Sequence, residues 1–85
     1  MASQDAKVTV YSASWCAYCR AVKEYLKDRK VSFSEIDVEH DQDAARALVE
    51  KTGQAGIPVV EIGNETIIGF NRQAIDSALR ASRLA

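Results

Sequence analysis

The chain has 85 residues, enough for one domain and too few for two that each need a core. With 47% hydrophobic and 27% charged residues it has the make-up of a packed globular domain, not of a disordered segment. A net charge of −1 lacks the basic excess of a dedicated nucleic-acid binder, and no apolar run approaches the ~20 residues of a membrane span. The opening stretch MASQDAK holds no apolar signal core, so the expected compartment is the cytoplasm. There are only two cysteines, Cys16 and Cys19, so the fold must rest on hydrophobic packing and not on a disulfide framework. No internal repeat, low-complexity tract or linker divides the chain, and residues 1–85 read as a single domain.

Lys7 to Tyr11 reads as a strand, β-branched or aromatic nearly throughout. The turn Ser12-Ala13-Ser14 follows, then Trp15 and the cysteine pair. From Ala17 to about Arg29 the period turns helical, with Ala21, Val22, Tyr25 and Leu26 on one face. Val31 to Val38 reads as a second strand, anchored by Val31, Phe33 and Ile36. Asp41 suits the N-cap of a second helix whose inner face is Ala44, Ala45, Leu48 and Val49, and Gly53 suits its end. Ile57 to Ile62 and Thr66 to Ile68 read as two strands joined at Gly63-Asn64, a two-residue hairpin signal. Asn71 can cap a third helix, with Phe70 and Ile75 at the spacing of a hydrophobic staple and Ala74, Ile75, Ala78 and Leu79 inward. The order β-α-β-α-β-β-α predicts an α/β fold. A parallel βαβ unit and a final antiparallel hairpin make a four-stranded mixed sheet with three helices.

The cysteines fall where the first strand hands over to the first helix. Unpaired N–H groups and the helix dipole present partial positive charge there, which stabilises a thiolate on Cys16. Arg20 and Lys23 add cations nearby. Across residues 20–30 five cations face two carboxylates, a net of +3. The thiolate is the attacking species in disulfide exchange, and Cys19, one turn on, can reach back to Cys16 and is expected to be the less exposed. A Cys16 thiolate would attack a target disulfide, and Cys19 would then resolve the mixed disulfide. No metal or tightly bound cofactor is needed for that cycle.

Other readings of the pair are weaker. A loop this short is a poor staple, because closing it removes little chain entropy. Zinc wants four ligands, and here only His40 would remain, in an acidic stretch that reads as a solvated loop. Two incidental core cysteines would be ordinary, but CxxC at a strand-to-helix junction in a βαβ pattern is a specific redox signal. Trp15 and Tyr18 read as exposed contact residues beside the nucleophile, with core packing as the alternative. Pro58 can simply open a strand, where a missing N–H is tolerated.

The chain resembles a glutaredoxin, or a closely related small redoxin of the thioredoxin superfamily, over nearly its whole length. The resemblance rests on Cys16-Ala17-Tyr18-Cys19, on Gly56-Ile57-Pro58 and on Gly69-Phe70-Asn71. It implies a thioredoxin-like fold and thiol-disulfide oxidoreductase activity, with Cys16 and Cys19 catalytic. It also implies a cis bond between Ile57 and Pro58, which leaves the Ile57 backbone free to pair with an extended thiol peptide. A substrate groove is implied at Trp15, Tyr18, Ile57, Pro58, Gly69, Phe70 and Asn71.

Four residues depart from the usual glutathione-dependent pattern: Trp15 before the motif, Ala17 within it, Ala13 where a lysine is common, and Arg72 where an acid is common. Gly69-Phe70 and the short length resemble redoxins that serve ribonucleotide reductase, and Trp15 resembles mycoredoxins. The expected partners are protein disulfides and either a reductase or a low-molecular-weight thiol such as glutathione as electron donor. No nucleic acid, membrane or metal is expected, and the chain is expected to be monomeric. Two competing classes are an iron–sulfur carrier, whose usual Cys-Gly-Phe-Ser motif is missing, and a redox-fold adaptor without turnover. The acidic run Glu35, Asp37, Glu39, Asp41 and Asp43 reads as a solvated edge.

Overall fold

The structure, a computed structural model, describes residues 8–54 and 56–82. Its elements run β1 (Val8–Ser12), α1 (Ala17–Asp28), β2 (Ser34–Asp37), α2 (Gln42–Thr52), β3 (Val59–Ile62), β4 (Glu65–Ile68) and α3 (Arg72–Ala81). The predicted order is therefore the observed one. Lys7, read as the start of the first strand, lies outside the described residues.

The sheet order is β2-β1-β3-β4. β1 and β2 run parallel with Tyr11 opposite Ile36 and Ser12 opposite Asp37. β3 is antiparallel to both β1 and β4, with Val10 opposite Val60 and Val60 opposite Ile67. Because side chains alternate along a strand, Val8, Val10, Val60, Ile62 and Ile67 share one face. There they form the core with Val22 and Leu26 of α1 and Ile75, Ala78 and Leu79 of α3. Tyr11 and Glu61 point to the opposite face, where Tyr11 donates its hydroxyl to Glu61 at 3.2 Å and Lys51 of α2 pairs with the same carboxylate.

Each helix begins on a side-chain cap. Asp41 accepts from the Ala44 N–H and Asn71 from the Ala74 N–H, both as predicted. Gly53 ends α2 at φ +77° in the left-handed region. The Tyr25 hydroxyl donates to Asp76 at 2.5 Å, which ties α1 to α3, and Arg29 approaches the same carboxylate at 3.4 Å.

Two expectations are corrected. Val31 to Phe33, and Val38 at the other end, are not strand, and Val31 is taken up by the tight wrap that ends α1. The Lys30 N–H donates to the Lys27 carbonyl at 2.9 Å and the Val31 N–H to the Leu26 carbonyl at 3.0 Å. This is a Schellman closure, sealed by contact of Val31 with the core that holds Leu26. Val49 is 41% exposed and not buried, since α2 sets only Leu48 fully inward.

The Schellman closure places Lys30 at φ +61°, the only described non-glycine residue with positive φ. A side chain costs energy there that glycine does not. Lys30→Gly is expected to stabilise the fold by about 1 kcal/mol. A urea midpoint that rises at unchanged slope would show it, and a midpoint that falls would contradict it.

Candidate active site

β1 ends at Ser12, and the chain turns through Ala13, Ser14 and Trp15 before α1 begins. The turn is closed by the Cys16 N–H donating to the Ala13 carbonyl at 3.2 Å. Cys16 is itself the N-cap of α1, in extended geometry, and its sulfur accepts the Cys19 N–H at 3.1 Å. Sulfur thus takes the place usually filled by a serine or aspartate oxygen. No acidic residue sits in the first turn of α1 to oppose a negative charge on that sulfur.

Cys16 and Cys19 are joined as a disulfide with Cα atoms 5.2 Å apart. Cys19 is wholly buried, whereas Cys16 keeps 8% of its surface, the asymmetry expected of an attacking and a resolving thiol. The Cys19 sulfur lies 4.0 Å from the Tyr11 carbonyl oxygen, to which a reduced S–H can donate. Trp15 and Tyr18, on either side of Cys16, are 70% and 68% exposed, so neither is a core aromatic.

The other singled-out residues lie at the same end of the sheet. Tyr11 pairs with Val59, and Val59 with Ile68, so the chain enters β3 and leaves β4 where it leaves β1. Ile57-Pro58, joined by a cis peptide bond, leads into β3, and Gly69-Phe70-Asn71 leads out of β4. The Gly69 N–H donates to the Pro58 carbonyl at 2.8 Å. Gly69 sits at φ +85°, and no atom lies within 4 Å of where a Cβ would be, so it is needed for its backbone alone. Phe70 is partly buried, edge-on to Tyr25 with ring centroids 5.9 Å apart, and Arg72 holds its guanidinium 6.0 Å from the Phe70 ring. Asn71 is committed to capping α3.

The structure also ties in acidic residues that the sequence reading set on a solvated edge, away from the site. Glu35 accepts the Ser12 hydroxyl at 2.6 Å and the Lys23 ammonium at 2.7 Å. Those two donors, Lys23 first, hold its carboxyl below the ordinary range. Lys23 was expected to add positive charge beside the thiolate, and its charge is instead taken by Glu35. Glu39 accepts both the N–H and the hydroxyl of Ser14, at 3.1 and 2.7 Å. His40 is exposed as expected, but it is paired with Asp37 at 2.7 Å, and that contact raises its pKa. All five residues of the acidic run are exposed, as a solvated edge requires, and Glu35, Asp37 and Glu39 are in addition hydrogen-bonded across the loops. The parallel register carried a signal for this: Tyr11 faces Ile36 and Ser12 faces Asp37, and Ser14 and Glu39 continue the same offset.

The sequence profile of the glutaredoxin family matches residues 8–67. The chain belongs to the glutaredoxin family. It is 32% identical over 72 residues to a glutaredoxin-like 8.6 kDa protein in the rubredoxin operon of Clostridium pasteurianum, covering 85% of this chain and 96% of that one. Among solved glutaredoxin-like structures, the NrdH-redoxin from Escherichia coli is similar at a TM-score of 0.77 and 31% identity, over 84% of this chain and 92% of that one. A buckwheat glutaredoxin in complex with glutathione is similar at a TM-score of 0.74 and 29% identity, over 95% and 82%. The fold is thus the thioredoxin-like one, and this glutaredoxin-like chain carries its cysteine pair at the first helix tip. Among the described residues no helix is long and apolar enough to cross a membrane.

Proposed function

We propose that this chain is a dithiol-disulfide oxidoreductase in which Cys16 attacks and Cys19 resolves. The observation that carries the reading is the Cys16 sulfur seated as the N-cap of α1 with the Cys19 N–H on it. In the reduced protein that N–H and the helix N-terminus favour the thiolate. The thiolate attacks one sulfur of a target disulfide, forms a new S–S bond and expels the other target sulfur as thiolate. Cys19 then loses its proton and attacks the Cys16 sulfur. The Cys16–Cys19 bond forms, and the target leaves with two electrons gained. A separate donor returns two electrons to the pair.

Trp15 and Tyr18 offer exposed apolar surface beside the reacting sulfur, and Ile57, Pro58, Gly69, Phe70 and Asn71 border the same end of the sheet. These residues would form the groove for a protein disulfide. The donor we favour is a thioredoxin-type reductase over glutathione, because Ala13 is buried and offers no cation and Arg72 brings a positive charge to the start of α3.

The test is NADPH consumption with a model disulfide, in one cuvette with thioredoxin reductase and in another with glutathione and its reductase. Turnover in the first alone supports the full reading. Turnover in the second alone keeps the chemistry and overturns the donor. Silence in both overturns both donors and points to another low-molecular-weight thiol or to a binding protein. As a companion result, Cys19→Ser is expected to accumulate a mixed disulfide on Cys16 with a protein target. Non-reducing gels would show an adduct that dithiothreitol removes, and absence of any adduct would count against Cys19 as the resolving thiol.

A further inference from the structure

The segment that aims Cys16 has little to hold it. Ala13 and Cys16 are buried, but Ser14 and Trp15 between them are exposed, and the Trp15 ring is in solvent. Inside the turn there is one backbone hydrogen bond, from Cys16 to Ala13. Among the described residues the tertiary tie on Ser14 is Glu39, whose Oε1 accepts both of its donors.

Glu39 is itself held in place. β1 and β2 leave the sheet side by side, and their last rung is the Val38 N–H on the Ser12 carbonyl at 3.0 Å. Beyond it the Asp37 carboxylate gathers the loop, accepting the Glu39 N–H at 2.8 Å and the His40 N–H at 3.3 Å. The Asp41 N–H closes onto the Asp37 carbonyl at 3.1 Å. The Ser14 hydroxyl, and then its N–H, keep the Glu39 carboxyl below its ordinary range, so it is a carboxylate at neutral pH.

We propose that Glu39 is a positioning residue for Cys16: by clamping Ser14 it fixes the turn that sets the Cys16 sulfur against the first turn of α1. The inference rests on Cys16 being the reactive thiol. Glu39 touches neither cysteine, and its own charge works the other way, since a nearby carboxylate disfavours a second anion. A clamp and a bare charge therefore differ in sign. Losing the clamp lets the sulfur drift from the Cys19 N–H and raises the thiol pKa. Losing only a negative charge lowers it.

The experiment follows alkylation of Cys16 by iodoacetamide against pH, in a Cys19→Ser background so that one thiol reacts. Glu39→Ala is expected to raise the midpoint by about one pH unit, which is roughly tenfold less thiolate below it. Glu39→Gln keeps an acceptor oxygen and is expected to stay at or slightly below the parent midpoint. Ser14→Ala is expected to raise the midpoint by less than Glu39→Ala, and to add nothing on top of it. A Glu39→Ala midpoint at or below the parent value overturns the proposal. So does a Glu39→Gln midpoint as high as that of Glu39→Ala, or full additivity of the Ser14 and Glu39 changes. Thermal melting of each variant confirms that folded protein is being compared. Disulfide turnover by the wild type is measured alongside. Its absence would remove the oxidoreductase reading while the alkylation midpoints still decide the clamp.

Discussion

Cys16→Ser is expected to bring disulfide turnover down to the uncatalysed background while leaving the fold intact. A serine hydroxyl accepts the Cys19 N–H as well as sulfur does, so the N-cap of α1 survives the change. It cannot form an S–S bond, so the first step of exchange has no nucleophile. Cys19 cannot take over, because it is wholly buried on the inner side of the first helical turn. The reduced wild type and Cys16→Ser should melt within a few degrees of each other while their activities differ completely. Near-full turnover by Cys16→Ser would place the nucleophile elsewhere and overturn the order of attack.

Leu26→Ala is expected to be the most damaging of the core changes in α1, at about 3 kcal/mol. Leu26 is fully buried in the cluster between α1, the sheet and α3, and its carbonyl also receives the Val31 N–H that closes the helix. Truncating it leaves a cavity where the helix end is anchored. A domain of this size carries roughly 5–10 kcal/mol in total, so the loss is a large share of its stability. The melting temperature should fall by about 15 °C. A fall of less than about 5 °C would mean that the neighbouring side chains collapse into the space and that the core is looser than its burial suggests.

Much of the architecture was legible because local signals agree. Asp41, Asn71, Gly53 and the Gly63-Asn64 turn each mark a boundary by their own chemistry, and each boundary is where the structure has it. The end of the first helix was legible to within a residue, but the closure that follows it was not. Its left-handed residue is a lysine, and nothing in a lysine announces positive φ. Val31 reads as strand for a related reason: a buried valine that seals a helix end looks the same in one dimension as a valine that starts a strand. Val49 lies at the margin of an apolar stripe, where a small rotation of α2 decides between core and water. The cysteine pair, Trp15 and Tyr18 were legible as a site because these four residues fall within one five-residue stretch. The Glu39 clamp was not, because Ser14 and Glu39 lie 25 residues apart and meet only once the β1–β2 register is known.

Trp15 is the only tryptophan in the chain, it directly precedes Cys16, and its ring stands in water. Its fluorescence is therefore a local gauge. It responds to whether the neighbouring sulfurs are bonded or free, and to a target settling over them. It says little about whether the molecule is folded, since an indole already in solvent has no burial to lose on denaturation. Unfolding is better followed by circular dichroism, or through Tyr11 and Tyr25, whose hydroxyls are tied to Glu61 and Asp76 and are released when the layers separate.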